Sequence, residues 1–237
     1  MTPPQDAASG LDLPIPAHAG VAAEAERPEI WSTRLSVLGA ALSVPGVAAL
    51  LAPAISAHDW TRVLTFSAYG LGLLSMFTCS AVFHAQAGKE RVFTKCLDYG
   101  AIGVMIAGCF TPYCALALGT PFALRILALV WALALGAAGL RVANPRLSKW
   151  IFVSIFLAMG WLGMLLAPAL WSAMGRGGSY LTLLGGALYT AGTLFFNRYE
   201  GEVEPPGFGP HDIWHIVILA AAGAHYLAIL LYIAPPR

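Results

Sequence analysis

Residues 211–233 read His211-Asp212-Ile213-Trp214-His215 followed by IVILAAAGAHYLAILLYI, and this stretch decides what kind of protein the chain is. From Ile213 to Ile233 no Asp, Glu, Lys or Arg interrupts the run. A helix rises about 1.5 Å per residue, so such a run covers the roughly 30 Å of hydrocarbon in a bilayer. Two imidazoles stand four residues apart at its mouth. Residues i and i+4 share one face of a helix, so both rings can reach one metal ion. Ionisable groups at membrane depth are costly and rare, which makes them functional-site candidates by default.

Working outward, runs of the same kind recur. Leu35–Ala57, Val63–Phe83, Tyr99–Leu124, Pro121–Leu140, Trp150–Leu170, Gly177–Asn197 and Ile213–Ile233 predict seven spans. The third ends near Leu118, because Gly119-Thr120-Pro121 reads as a turn. Arg125 lies near the start of the fourth, where its side chain can snorkel to the interface. Composition agrees: the 237 residues are 58% hydrophobic and 11% charged, against about 25% charged in soluble domains, and mean hydropathy is +0.72. The fold class expected is therefore an all-α integral membrane bundle of seven transmembrane helices, filling residues 31–237 as one domain. Residues 1–30, rich in Ala and Pro, lack a basic segment followed by an apolar one, so they read as a flexible cytoplasmic tail and not a secretory signal.

Basic residues set the orientation. The N-terminal tail and the loops after spans two, four and six hold nine: Arg27, Arg34, Lys89, Arg91, Lys95, Arg141, Arg146, Lys149 and Arg198. The other side holds four: Arg62, Arg125, Arg176 and Arg237. The N-terminus is thus expected in the cytoplasm. A formal net charge of +1 gives no basic footprint for nucleic acid. Cys79, Cys96, Cys109 and Cys114 have no CxxC spacing and read as small core residues with free thiols, Cys79 or Cys96 as a thiolate ligand being the minority reading.

This topology brings five polar residues to one depth. Ser80 and His84 end span two, Asp98 begins span three, and His211 and His215 begin span seven, all at the cytoplasmic edge of the hydrocarbon. Three imidazoles suit zinc, and three protein ligands with an open fourth position is the catalytic pattern. The expected metal ligands are His84, His211 and His215, with Zn²⁺ as cofactor and water in the open position. Ser80, four residues before His84, can hydrogen-bond that water or a substrate oxygen. Asp98 can act as general base or orient a ligand, and taken alone it can equally cap span three. Asp212 invites comparison with the Glu of HExxH metalloproteases, but it sits about 100° round the helix from His211. It reads as an acid favoured by the helix N-terminus. His225 is about 15 Å deeper than His215, too far to share the ion. It reads as a helix-packing histidine, with a proton or lipid path as the alternative.

The motifs Ser80-Ala81-Val82-Phe83-His84, Leu97-Asp98-Tyr99-Gly100-Ala101-Ile102, Ile106-Ala107-Gly108-Cys109-Phe110-Thr111-Pro112, Leu184-Gly185-Gly186-Ala187-Leu188-Tyr189-Thr190 and His211-Asp212-Ile213-Trp214-His215 resemble the second, third, sixth and seventh spans of the hemolysin III group. That group belongs with the progestin and adipoQ receptors (PAQR) and more distantly with alkaline ceramidases. The resemblance covers nearly everything after about residue 30. It implies a seven-helix bundle in the bacterial inner membrane and a zinc ion on His84, His211 and His215, with Asp98 and Ser80 holding the metal's water. It also implies hydrolysis of an amide lipid such as ceramide. Bacterial members often read L-D-H where this chain has Leu97-Asp98-Tyr99, and Pro210 replaces a histidine often found before the last motif.

Three functions are expected from this, in order. The first is a zinc-dependent hydrolase of a lipid amide or ester, with a sphingolipid or ceramide-like membrane lipid as substrate. The second is a non-enzymatic sensor or homeostasis protein, in which zinc staples spans two and seven. The third is a pore-forming haemolysin, disfavoured because no span carries a polar stripe.

Overall fold

The computed structural model describes residues 29–86, 91–199 and 208–235, and every regular element among them is helical. Residues 1–28 of the expected tail lie outside the described residues. In chain order the helices are α1 (Ile30–Ser56), α2 (Trp60–Ala85), α3 (Arg91–Pro112, continued by a π-helical turn Tyr113–Leu118), α4 (Pro121–Ala143), α5 (Lys149–Trp161, continued by a 3₁₀ turn Leu162–Leu165), α6 (Ala167–Tyr199) and α7 (Pro210–Tyr232). Ile30, placed in the tail from sequence, opens α1, and Glu29 precedes it as the cap residue.

Helix ends follow local chemistry. Asp59 caps α2 by accepting from the Arg62 N–H at 3.0 Å. The turn expected at Gly119-Thr120-Pro121 is present: Gly119 takes a left-handed φ of 64°, the Thr120 hydroxyl accepts from the Ala123 N–H at 3.2 Å, and Pro121 begins α4 where no N–H is needed. Arg125 is exposed near that end and donates to the Pro121 carbonyl at 3.2 Å.

Five helices, α1, α2, α3 with its π turn, α4 and α7, are individually long and apolar enough to cross a membrane. The α5–α6 region differs from the two straight spans expected. Lys149–Leu165 and Ala167–Phe196 meet that criterion only together, bent by 76° across Leu166. The bend has a local cause, since Pro168 cannot donate the helical bond back to Met164. A second break falls at Gly175, with φ 65° and ψ −171°, a conformation open essentially to glycine alone.

The bundle packs in a simple order. α1 lies between α2 and α7, α2 packs on α3, α3 on α4, and α7 on α6, while α5 touches its neighbours sparsely. The face of α1 that α2 and α7 cover is Ser32, Ser36, Gly39, Ser43, Val47, Leu50 and Ala54, a stripe of mostly small residues at helical spacing. Small residues let helices approach closely where lipid gives no hydrophobic drive for association. The outside is apolar: Leu64 is 72% exposed, and Leu135 and Leu194 are each 61% exposed. In water such a surface would drive aggregation; in a bilayer it meets acyl chains. The molecule is a helical integral membrane bundle.

Candidate metal centre

Four helix ends meet at one pole of the bundle. His84 comes from the last turn of α2, His211 and His215 from the first two turns of α7. One nitrogen from each ring lies within 4.8 Å of the others, so the three imidazoles can hold a metal ion. Ring centroids are 4.9 Å apart for His84 and His211, 4.7 Å for His84 and His215, and 5.1 Å for His211 and His215. His84 stands nearly perpendicular to the other two, which are stacked 12° from parallel, as one helical turn dictates.

Start with the polar groups behind the rings. Glu29 Oε2 is 2.7 Å from His84 Nδ1 and 3.3 Å from His211 Nδ1. Ser36 Oγ is 3.4 Å from His215 Nδ1 and 3.0 Å from Ser80 Oγ. The Glu29 backbone N–H also donates to the His84 carbonyl at 2.9 Å, tying the start of α1 to the end of α2. Every imidazole thus has a partner at Nδ1. A metal-binding histidine usually donates its second N–H to a carboxylate or hydroxyl, which fixes tautomer and ring orientation. His215 Nε2 is buried and makes no hydrogen bond. An unsatisfied buried nitrogen carries a desolvation cost of about 1–3 kcal/mol, and a cation among three neutral imidazoles removes it. The donor set and this unsatisfied atom both fit a borderline ion such as zinc.

Asp98 lies two turns inside α3, which begins at Arg91 and not at Asp98 as expected, so it does not cap the helix; it is half-buried and lines the same cavity as Ser80, the three histidines and Glu29. Its carboxylate lies within Coulombic reach of His84, Lys95 and Glu29. Asp212 is occupied elsewhere: it accepts from Ser32 Oγ at 2.7 Å and from the Gly209 N–H at 2.9 Å. That is the work of a helix N-terminus, in line with its reading from sequence. Tyr99 fills the place where L-D-H relatives have histidine. Its ring meets Phe152 edge-on at 5.5 Å, and the Arg141 guanidinium lies 4.4 Å above it. The four cysteines are free thiols, three of them buried, and none belongs to the histidine group.

Glu29, Ser32 and Ser36 were not singled out from the sequence. A carboxylate immediately before a span, followed by serines four apart at 32 and 36 on one helical face, is the signal that would have found them.

The cavity beside the histidines has a volume of about 1200 Å³. It runs between α2, α3, α5, α6 and α7, from His84, His211 and His215 to Tyr113, Ser179 and His225. Its wall between these ends is apolar, with Phe77, Met105, Phe156 and Leu183.

Bundle and site define a polytopic helical membrane protein with a three-histidine cluster at one end of a long apolar cavity. Residues 26–226 match the family model described as Haemolysin-III related, and the chain belongs to that family. It is 30% identical over 200 residues to "Hemolysin-3" of Bacillus cereus, covering 84% of this chain and 88% of that one. It is 28% identical over 200 residues to the human "Monocyte to macrophage differentiation factor", covering 81% and 80%. It is 30% identical over 189 residues to the rice "Heptahelical transmembrane protein ADIPOR2", covering 72% and 80%. Likeness to bacterial and eukaryotic proteins alike bears out the hemolysin III and PAQR resemblance.

Proposed function

We propose that this protein is a zinc-dependent membrane hydrolase of a lipid amide or ester, with seven spans, a cytoplasmic N-terminus and a home in the bacterial inner membrane. The observation that carries the reading is the junction of three imidazoles with a large apolar cavity that Asp98 also lines. A lipid chain fits the apolar part while its carbonyl stays at the polar end. His84, His211 and His215 are the ligands; Glu29 and Ser36 hold their rings. Zinc, when bound, supplies Lewis acidity to polarise a carbonyl and to make water nucleophilic near neutral pH. Asp98 accepts the proton of the attacking water and delivers it to the leaving amine or alkoxide. Ser80, held by Ser36, donates to a substrate oxygen. Packing by Phe83 and Phe196 against His84 and His211 limits access of bulk water to this end.

The test uses purified protein in nanodiscs with a short-chain ceramide and a matched ester. Turnover is expected in the wild type, with loss of at least about 100-fold in Asp98→Asn and abolition in His211→Ala. Full activity in Asp98→Asn would remove the general-base role. One observation favours a second reading, a closed structural zinc in a non-catalytic protein: Glu29 Oε2 contacts two of the three imidazoles at Nδ1, and a move of this carboxylate from Nδ1 to the ion would supply a fourth ligand. X-ray absorption on Glu29→Gln separates the two readings. A coordination sphere unchanged by the substitution favours chemistry; loss of a carboxylate ligand favours a staple.

A further inference from the structure

The far end of the cavity is not a plain apolar floor. His225 of α7 is buried there, with its Nδ1 3.1 Å from the Tyr113 hydroxyl. The Thr182 hydroxyl of α6, which donates to the Gly178 carbonyl at 2.9 Å, lies 3.3 Å from that same tyrosine oxygen. Tyr189 stacks on the imidazole, with centroids 6.0 Å apart and planes 20° from parallel. Tyr113 opens the π-helical turn of α3, closed by the Gly119 N–H bonding to the Cys114 carbonyl five residues back. Such turns cost helix regularity and cluster at functional sites. Gly185 clears room for the ring: a Cβ there would come within 2.5 Å of Cδ2 and 2.6 Å of Nε2 of His225.

Three helices therefore converge to hold a polar pair deep in the bundle, where polar groups are expensive. The pair is also incomplete. Whichever ring nitrogen carries the proton, Nε2 has no hydrogen-bond partner among the described residues. The Tyr189 hydroxyl is buried and without a partner; Ser179 Oγ is too, but it lies ten residues, roughly 15 Å, away along α6. Ser179, Thr182 and Tyr189 all line the cavity, as do Tyr113 and His225. Buried polar groups are nearly always satisfied, so the unpartnered Tyr189 hydroxyl and His225 Nε2 beside the cavity call for a guest that carries oxygen.

We infer that Tyr113, Thr182, Tyr189 and His225 form a second subsite, which binds an oxygen function, hydroxyl or carbonyl, near the far end of a ligand's acyl chain. His225 Nε2, donor or acceptor according to its tautomer, and the Tyr189 hydroxyl supply the bonding. The spacing sets the ligand's length. His225 lies ten residues beyond His215, roughly 15 Å along α7, and an extended chain of roughly a dozen bonds covers that distance at about 1.25 Å of advance per bond. A cavity polar at both ends and apolar between selects chains oxygenated at both ends. The subsite stands on this cavity end alone and is independent of any turnover at the histidine cluster.

The experiment is binding, not catalysis. Purified protein in detergent is titrated with dodecanoic acid and with 12-hydroxydodecanoic acid, in competition with a labelled fatty acid. Without a subsite the hydroxy acid binds more weakly, because its hydroxyl is buried unpaired. With the subsite it binds tighter, by several-fold to roughly tenfold. Tyr113→Phe and His225→Phe, which keep ring volume, are each expected to erase the preference, read as the ratio of the two acids' affinities for the same variant. Equal or weaker binding of the hydroxy acid by the wild type, or a preference that survives either substitution, overturns the subsite. Failure of ceramide turnover would leave this result untouched, so the two proposals fail separately.

Discussion

Glu29 joins His84 and His211 through a single carboxylate oxygen, and its backbone holds the end of α2. Outer carboxylates of this kind tune metal affinity by about 10–100-fold. Glu29→Gln is accordingly expected to weaken zinc binding by that factor, read by competition with a chromophoric chelator; unchanged affinity would confine Glu29 to a structural role. Asp212 behaves differently. Its two oxygens satisfy Ser32 and the Gly209 N–H, so Asp212→Ala costs about 1–3 kcal/mol of stability and leaves metal stoichiometry unchanged, as paired unfolding and metal-content measurements would show. At this scale the sequence was legible where spacing is local. His211 and His215 follow from one helical turn, and His84 with Ser80 from another. Glu29 and Ser36 escaped because each acts across a helix boundary, on rings more than fifty residues away, and nothing in i, i+4 spacing reports that.

Helices were legible for the same reason that they are stable in lipid: long apolar runs satisfy every backbone group internally. The turn at Gly119-Thr120-Pro121 was readable because each residue has a distinct cap chemistry. The break between α5 and α6 was not, since Pro168 and Gly175 sit within runs whose hydropathy does not change. Glycine substitutions separate these contexts. Nothing crowds a Cβ at Gly175, so the cost of Gly175→Ala is the strain of an alanine held at φ 65° and ψ −171°, about 1–3 kcal/mol. Gly136, inside α4 and equally uncrowded, is expected to change sign, with Gly136→Ala stabilising by about 0.5–1 kcal/mol. Unfolding titrations in mixed micelles would compare the two, and equal effects would contradict the assigned backbone at Gly175.

On the scale of the whole molecule, the histidine pole and the oxygen-binding pole are joined by one apolar cavity, and the bundle's outer face is built for lipid. The family and helical class could be read from motifs and hydropathy; the cavity could not, because it arises where α5 stands off from its neighbours, a packing outcome with no sequence period. Metal binding at the histidine pole needs neutral rings, so protons compete with it. Bound metal is therefore expected to dissociate on acidification and rebind on neutralisation, followed by equilibrium dialysis. The most direct test is the metal content of purified, folded protein, wild type against His84→Ala and His215→Ala. The account predicts about one zinc per wild-type chain and little or none in either variant, with helical content intact in all three. A wild type without stoichiometric metal after expression in zinc-replete medium, or variants that retain it, would contradict the three-histidine centre.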